Sequence, residues 1–398
     1  MLQRANFARH AAAAFPAERR GVAALFLVNG FAVGSWAPKI PEFAARLGLS
    51  DLHLGLMILA FGVGSLVMMP ITGTFIARLG SARVAKGFGA LVVPALLVLT
   101  LAPSVPLAAV AIFYTGAVVG GMDIAMNANA IVVERRMRRA IMSSCHGFWS
   151  LGGVVGASLG GTLIASIGVM GHVLVVTVLA ALAMAYAWPR ISADGPHPDE
   201  PHHPVRLPGT IVPYLIGIIA LFSMVPEGSV LDWGALYLRR ELGADLALSG
   251  LGFGAFSAAM ALMRFAGDPI RDRLGAVTTM RLCTVAALVG MLAAGLAPNA
   301  AIAICGFSLA GIGIANMVPI AFSAAGNMPG LAPGIALSVV TFMGYSGILF
   351  APSLIGFAAE HTSFHVIFAF MPVLFIVVLA LSGLARHADM AVPDDPAG

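Results

Sequence analysis

Long apolar stretches alternate with short polar ones along the whole chain. A helix needs roughly 20 apolar residues to cross a bilayer, and we place six such stretches before Arg190 and six after Val205. They cover residues 20–38, 54–76, 84–102, 107–132, 146–168, 171–188, 210–238, 248–267, 276–297, 299–321, 333–358 and 363–385. They are too long and too rich in Gly and Ala for the strands of a membrane barrel. The pattern therefore predicts an all-α membrane protein with twelve transmembrane helices.

Composition excludes a large soluble helical protein. Of the 398 residues, 59% are hydrophobic and only 10% are charged, whereas about a quarter of a soluble domain is charged. Cys145, Cys283 and Cys305 lie in or beside spans without paired spacing, so we expect packing residues and neither a disulfide framework nor a metal site. Residues 1–20 resemble an Arg-rich transit peptide, but a basic cytoplasmic tail is the simpler interpretation.

The basic residues predict the orientation. If the N-terminus is cytoplasmic and twelve spans alternate, only Lys39, Arg46, Arg239 and Arg240 fall on the outer side. The other basic residues then lie on the inner side, as the positive-inside rule requires. We expect a multi-pass protein of the bacterial inner membrane with both termini in the cytoplasm. The pI of 9.2 then reflects inner loops beside anionic lipid and not a nucleic-acid surface.

The chain divides into two similar halves. The only long polar, proline-rich stretch between spans predicts a linker at 190–208, which separates a half with a cytoplasmic tail at 1–189 from a second half at 209–398. His197, His202 and His203 raise the alternative of metal binding, but the prolines and acids around them favour a solvated loop. Arg-Leu-Gly recurs after the second and eighth spans, and such internal repeats are typical of secondary transporters.

Twelve spans in two halves with paired Arg-Leu-Gly loops resemble the major facilitator superfamily. Its loop pattern is Gly-x-x-x-(Asp/Asn)-Arg-x-Gly-x-(Arg/Lys), and here Ala77 replaces the acid of the first loop while the second keeps Asp272. The resemblance implies transport by alternating access, in which gating loops control the movement of the two halves. We assign to these gating loops Gly73, Arg78, Gly80, Arg83, Glu134, Arg135, Arg264, Asp268, Asp272 and Arg273.

Three stretches look like those of fucose-permease-like transporters and related uncharacterised bacterial permeases. They are GGMDIAMNANAIVVE from Gly120, SSCHGFWSLGG from Ser143 and VPEGSVLDW from Val225. In those proteins an acid in the fourth span helps to couple protons to sugar, and Asp123 resembles it. They also use an acid in the first span, where this chain has only Asn29. The resemblance implies a proton-coupled symporter for a sugar or related solute.

The fourth span carries an unusual polar face. Each helical residue turns by about 100°, so Asp123 and Asn127 share a side and Glu134 returns to it three turns later, whereas Asn129 points elsewhere. A carboxyl at mid-membrane must face a wet cavity, pair with a base or be protonated. The sequence places no Lys or Arg at that depth, with Arg264 towards the inner end of its span. We therefore predict that Asp123 binds the coupled proton.

The seventh span carries the second acid. Pro226 is expected to break the helix beside Glu227, which we predict to bind a hydroxylated substrate or a proton. The predicted proton-coupling residues are Asp123 and Glu227. The predicted substrate-binding residues are Asn29, Trp36, Asn127, Trp149, Glu227, Asn316 and Tyr345.

Three other functions compete with a proton-coupled importer. A proton-driven exporter of amphipathic compounds would use the same fold with a larger apolar pocket, and a membrane receptor would bind its ligand without transport. An enzyme is disfavoured because the chain has no Walker loop, no His-x-x-x-His pair within a span and no Gly-x-Ser-x-Gly elbow. We expect no cofactor and no metal. The expected partners are a small solute, protons and the bilayer, bound by a monomer.

Overall fold

The apolar stretches fold as helices because a backbone in lipid has to satisfy its own hydrogen bonds. The computed structural model describes residues 16–49, 51–195, 207–244, 246–331 and 333–389. The predicted tail at 1–15 and most of the predicted linker, including His197, His202 and His203, lie outside the described residues. Within the described part, nine helical stretches are long and apolar enough to cross a membrane.

The helices pack into two compact units. Unit 1 comprises the described residues of Met1–Met137 and Phe148–His202, and unit 2 those of Arg138–Gly147 and His203–Gly398. The helices of unit 1 are α1 (Ala17–Trp36), α2 (Ile40–Leu47), α3 (Asp51–Leu79), α4 (Ser81–Val92), α5 (Ala95–Leu101), α6 (Val105–Met137) and most of α7 (Met142–Ala187). The short α2 was not predicted.

Unit 2 contains the remaining helices and the first turns of α7. They are α8 (Val212–Arg240), α9 (Leu246–Leu274), α10 (Ala276–Gly295), α11 (Ala300–Ile314), α12 (Met317–Gly326), α13 (Pro333–His361), α14 (Phe364–Phe370) and α15 (Pro372–Leu381). Each predicted span coincides with one helix, with two consecutive helices or with one part of α7. The all-α, twelve-span fold is thus confirmed.

Helices are interrupted at a glycine and an asparagine, but not at every proline. Gly168 has a φ of 74°, which a residue with a side chain rarely adopts, and it separates the two parts of α7. Asn316 lies at the break between α11 and α12. The predicted break at Pro226 is wrong, because α8 runs through it without interruption. A proline removes only one backbone donor, and a long packed helix tolerates that loss.

Glycines bring the helices of unit 1 into close contact. A methyl group at Gly30 would overlap the carbonyl oxygen of Trp149, and one at Gly34 would overlap that of Gly153. On the other side of the crossing, Gly152 lies against the backbone of Leu27 in the same way. The glycine-rich stretch that begins at Leu151 therefore lets the α7 and α1 backbones touch directly.

Candidate functional site

The polar face of α6 lies in the interior of unit 1. Asp123 is only 4% exposed and Asn127 is fully buried. The Asn127 amide donates to the backbone oxygen of Asp123 at 2.8 Å and lies 3.5 Å from its carboxyl Oδ1. One turn earlier, Gly120 packs on Ser65 of α3 and Gly121 on Phe88 of α4. The structure therefore places two predicted site residues, Asp123 and Asn127, in contact with each other among the helices of unit 1.

A second pair of predicted residues connects α1, α6 and α7. Trp149 Nε1 donates to Asn29 Oδ1 at 2.9 Å, and Asn29 Nδ2 donates to the oxygen of Val119 at 3.0 Å. Asn29 is 1% exposed, and Val119 lies one helical turn before Asp123. The Asn29 amide thus joins the tryptophan to the helix that carries the acid, and the indole ring of Trp149 is half-buried.

Trp36 lies elsewhere in unit 1. It ends α1, two turns beyond Asn29, and its ring meets Phe43 of α2 edge-on at 5.1 Å. It also packs against an apolar cluster around Leu99 and Ile112. The structure therefore places Trp36 in a hydrophobic cluster beyond the Asn29–Trp149 pair.

The second membrane acid has a basic partner in unit 2. Glu227 Oε1 of α8 lies 3.3 Å from Arg264 Nη2 of α9, and the side chains are 28% and 9% exposed. At the sequence level Arg264 was considered as a partner only for Asp123, and the structure places it beside Glu227. A long, flexible arginine side chain reaches well beyond its own helical turn, which residue numbering along the span does not reveal. The pair presents a carboxylate acceptor beside guanidinium donors.

Asn316 and Tyr345 occupy different surroundings in unit 2. Asn316 is fully buried, its side chain fills the space above Gly267 of α9, and its amide nitrogen lies 4.0 Å from Cys283 Sγ. Asn316 therefore sits in a closed contact between helices. Tyr345 is half-buried on α13. Two residues further along that helix, Gly347 packs on Leu221 and Val225 of α8, which carries Glu227.

The paired Arg-Leu-Gly loops have the same geometry in both units. Gly80 and Gly275 have φ values of 82° and 77°, and each precedes a helix at whose start a carboxylate accepts from backbone N–H. Asp194 accepts from the backbone N–H groups of Ser81 and Ala82 at 2.7 and 2.8 Å. Asp389 accepts from that of Ala276 at 2.8 Å.

These two caps were missed at the sequence level. The signal was present, because Ala-Asp follows the last span of each half at Ala193–Asp194 and Ala388–Asp389. Two arginines that bind the same segments were also missed. Arg136 donates to Ser192 Oγ, and Arg271 donates to Ser323 Oγ and to the oxygen of Ala388.

The acids of the second loop hold the start of α7. Asp268 accepts from the backbone N–H groups of Ser143 and Ser144 at 2.9 and 3.0 Å, and Asp272 accepts from that of Ala140 at 2.8 Å. These bonds explain why Arg138–Gly147 groups with unit 2. Negative charge at a helix N-terminus is favourable because the first N–H groups lack partners within the helix.

The other predicted loop residues divide by exposure. Gly73 and Glu134 are buried, whereas Arg78, Arg83, Arg135 and Arg273 are exposed. In the described part of the chain, no group of three or more His, Cys, Asp and Glu side chains is arranged to hold a metal ion.

Comparison with known proteins agrees with this architecture. The family model described as Major Facilitator Superfamily matches residues 22–234 and 216–397. An uncharacterized MFS-type transporter of Yersinia pestis is 34% identical over 89% of this chain and 92% of its own length. The uncharacterized transporter y4wD of Sinorhizobium fredii is 35% identical over 91% and 96%.

Solved structures show the same fold. FucP in the outward conformation superposes with a TM-score of 0.80 at 15% identity, covering 92% of this chain and 97% of FucP. A further FucP structure is described as the fucose:proton symporter of Escherichia coli. At this identity the likeness concerns the fold alone. The family match over almost the whole chain and the two curated relatives establish that this chain belongs to the major facilitator superfamily of secondary transporters.

Proposed function

We propose that this transporter moves a small hydroxylated solute together with a proton by alternating access, with Asp123 as the proton carrier and the Glu227–Arg264 pair as a solute-binding group. The observation that carries the proposal is the burial of Asp123 at 4% exposure in the middle of α6. The fold is that of a secondary transporter, and the proposal assigns proton binding to Asp123 and solute binding to Glu227.

The surroundings of Asp123 support proton binding. A charged carboxylate inside apolar helices is costly, whereas its neutral form is tolerated. A carboxyl at this depth becomes a carrier when opening on one side admits water and closure excludes it. Asn127 lies one turn away on the same face and donates to the backbone oxygen of Asp123. A change in the protonation of Asp123 therefore alters the surroundings of a neighbouring polar side chain.

The Glu227–Arg264 pair supports recognition of hydroxyl groups. Glu227 keeps 28% of its side chain exposed, so its carboxylate can accept a hydrogen bond from a solute. Arg264 supplies donors for a neighbouring oxygen. Such adjacent donors and acceptors match the hydroxyls of a sugar or polyol. The name of FucP as a fucose:proton symporter agrees with this chemistry.

The contacts of Asp268 and Asp272 support a gating role for the second loop. Both carboxylates accept hydrogen bonds from backbone N–H groups at the start of α7. These hydrogen bonds form or break together when this end of the helix moves. The first loop has Ala77 where the family pattern has an acid. We therefore assign the stronger gating contact to the second loop.

The test begins with ligand identification. Purified protein is screened by thermal shift against sugars, polyols, sugar acids, amino acids and amphipathic drugs, since a ligand of the native state raises its apparent stability. The stabilising compound is then tested in liposomes with an inward proton gradient. Gradient-driven uptake of a hydroxylated solute supports the proposal. Proton-driven expulsion of an amphipathic compound supports the exporter, and binding without transport supports the receptor.

A further inference from the structure

The start of α7 carries a histidine that is not part of the proposed site. This stretch runs along α9 in the opposite direction. The N–H of Ala140, just before α7, donates to Asp272 at 2.8 Å, and a methyl group at Gly147 would meet the ring of Phe265. Residue numbers thus rise along α7 while they fall along α9. This register brings His146, the residue before Gly147, to the middle of the contact between the two helices.

The His146 ring meets a cation and an aromatic ring. The Arg264 guanidinium of α9 is close enough to act electrostatically on the imidazole. The ring of Phe322 of α12 lies 5.8 Å away, centre to centre, and α12 itself contains no titratable residue. The nearby acids are Glu227 of α8, which is 3.3 Å from Arg264, and Asp268 of α9, which binds backbone N–H groups of α7. His146 is half-buried.

A proton on His146 would oppose this arrangement in two ways. It would put a second positive charge beside the Arg264 guanidinium. It would also place a cation in the first turns of α7, where a helix favours negative charge. Asp268 offsets these effects only in part, because its two oxygens already accept from the N–H groups of Ser143 and Ser144. The neutral imidazole therefore fits the contact between α7 and α9, and the imidazolium does not.

We propose that His146 is a second proton-binding residue of this transporter, and that its protonation releases the start of α7 from α9. The inference rests on the proposed gating role of Asp268 and Asp272, whose hydrogen bonds hold the same end of α7. The docked form excludes the proton and the released form accepts it, so acid shifts the equilibrium towards release. Since an exposed imidazole has a pKa of about 6.5, docking weakens below about that pH.

The cysteines of the chain can report this release without a transported solute. Cys145, next to His146, is 1% exposed and Cys283 of α10 is 4% exposed, whereas Cys305 of α11 is exposed. The purified full chain is alkylated with N-ethylmaleimide, and mass spectrometry gives the rate at each thiol. Dividing the Cys145 rate by the Cys305 rate removes the common effect of pH on thiolate content. One proton per release predicts a rise of about tenfold in this ratio from about pH 7.5 to about pH 5.5. The corresponding ratio for Cys283 should stay constant.

Two matched variants assign the effect to one histidine. His146→Gln keeps a polar side chain that binds no proton, and the rise of the Cys145 ratio should disappear. His361→Gln removes an exposed histidine at the end of α13, and the rise should persist. If His146→Gln does not fold, Arg264→Gln decides, because removal of the repelling charge should make the rise smaller. An undiminished rise in the deciding variant would overturn the proposal.

Asp268→Ala separates this inference from the proposed gate. It removes the acceptor that holds the start of α7, so it should raise the Cys145 rate at both pH values. If the Cys145 rate does not change in this variant, the gate and the inference both fail. If it rises there but acid leaves the wild-type ratio unchanged, only the proton site at His146 is overturned. A parallel rise at Cys283 in acid would also overturn it, because unit 2 would then be loosening as a whole.

Discussion

The two units each contain an acid at membrane depth, but they surround it differently. Asp123 in unit 1 is 4% exposed on a helix whose neighbouring turns are buried. Glu227 in unit 2 is 28% exposed and lies 3.3 Å from Arg264. An enclosed carboxyl suits a proton, which needs little space, whereas a charged pair open to water suits hydrogen bonding to a solute. The difference suggests a division of labour between the units.

Two helix crossings, one in each unit, differ in what fills them. In unit 1, α1 and α7 touch through backbone at Gly30 and Gly34. In unit 2, the crossing of α8 and α13 is filled by side chains, with Met343 above Gly217 and Met224 beside Gly344. Methionine is flexible and adapts to irregular gaps. The α1–α7 crossing is therefore expected to be stiffer than the α8–α13 crossing, whereas α10 and α11 of unit 2 also touch through backbone, at Gly290 and Gly306.

The largest expected effect comes from Asp123→Asn. This change keeps the shape of the side chain and removes the proton-binding group, so proton-driven accumulation in liposomes should fall to the level of protein-free vesicles. Exchange of labelled for unlabelled solute without a gradient should persist, because exchange needs no net proton movement. Full gradient-driven accumulation by the variant would remove Asp123 from the coupling role.

The next effect is expected from Glu227→Gln. A hydrogen bond to a charged group contributes about 1.5 kcal/mol, so the solute concentration for half-maximal transport should rise about tenfold. The double variant Glu227→Gln with Arg264→Gln tests the pair, because two coupled residues give non-additive losses. Unchanged kinetics in the single variant would assign Glu227 to structure.

The stiffness of the α1–α7 crossing is tested by matched glycine changes. Gly30→Ala would meet the backbone of Trp149, whereas Gly217→Ala would meet the flexible end of Met343. Overpacking costs about 1–3 kcal/mol, so Gly30→Ala should lower the midpoint of thermal unfolding in detergent clearly more than Gly217→Ala. An equal loss in the two variants would show that the crossings do not differ in stiffness.

The smallest expected effect concerns the caps that both units share. Asp194→Asn and Asp389→Asn each remove a negative charge from the N-terminus of the helix that follows an Arg-Leu-Gly loop. Each should cost about 0.3–1 kcal/mol of stability, read as similar small shifts in the unfolding midpoint. A large fall in the unfolding midpoint of only one variant would show that the two caps contribute differently to stability.

Most of the fold was predictable because apolar length and glycine content directly determine membrane helices. The positions of the twelve spans follow from local sequence. The predicted break at Pro226 failed because packing within a long helix outweighs the loss of one backbone donor. Local sequence rules do not register that compensation.

The candidate site was less predictable, because its contacts join distant parts of the chain. Helical spacing correctly placed Asp123 and Asn127 together, since both lie on α6. The Glu227–Arg264 pair depends on how α8 packs against α9, and the Asn29–Trp149 bond depends on the glycine crossing of α1 and α7. The Asp194 and Asp389 caps were encoded in a repeated Ala-Asp, but only the folded chain shows which backbone groups they bind.

The most direct test of the central claim is a pH titration of the carboxyl groups by difference infrared spectroscopy. The wild type should show a protonated-carboxyl band that is absent from Asp123→Asn and retained in Glu227→Gln. This measurement needs no knowledge of the solute. If Asp123→Asn keeps the complete wild-type band through the titration, Asp123 does not exchange a proton and the account of coupling is contradicted.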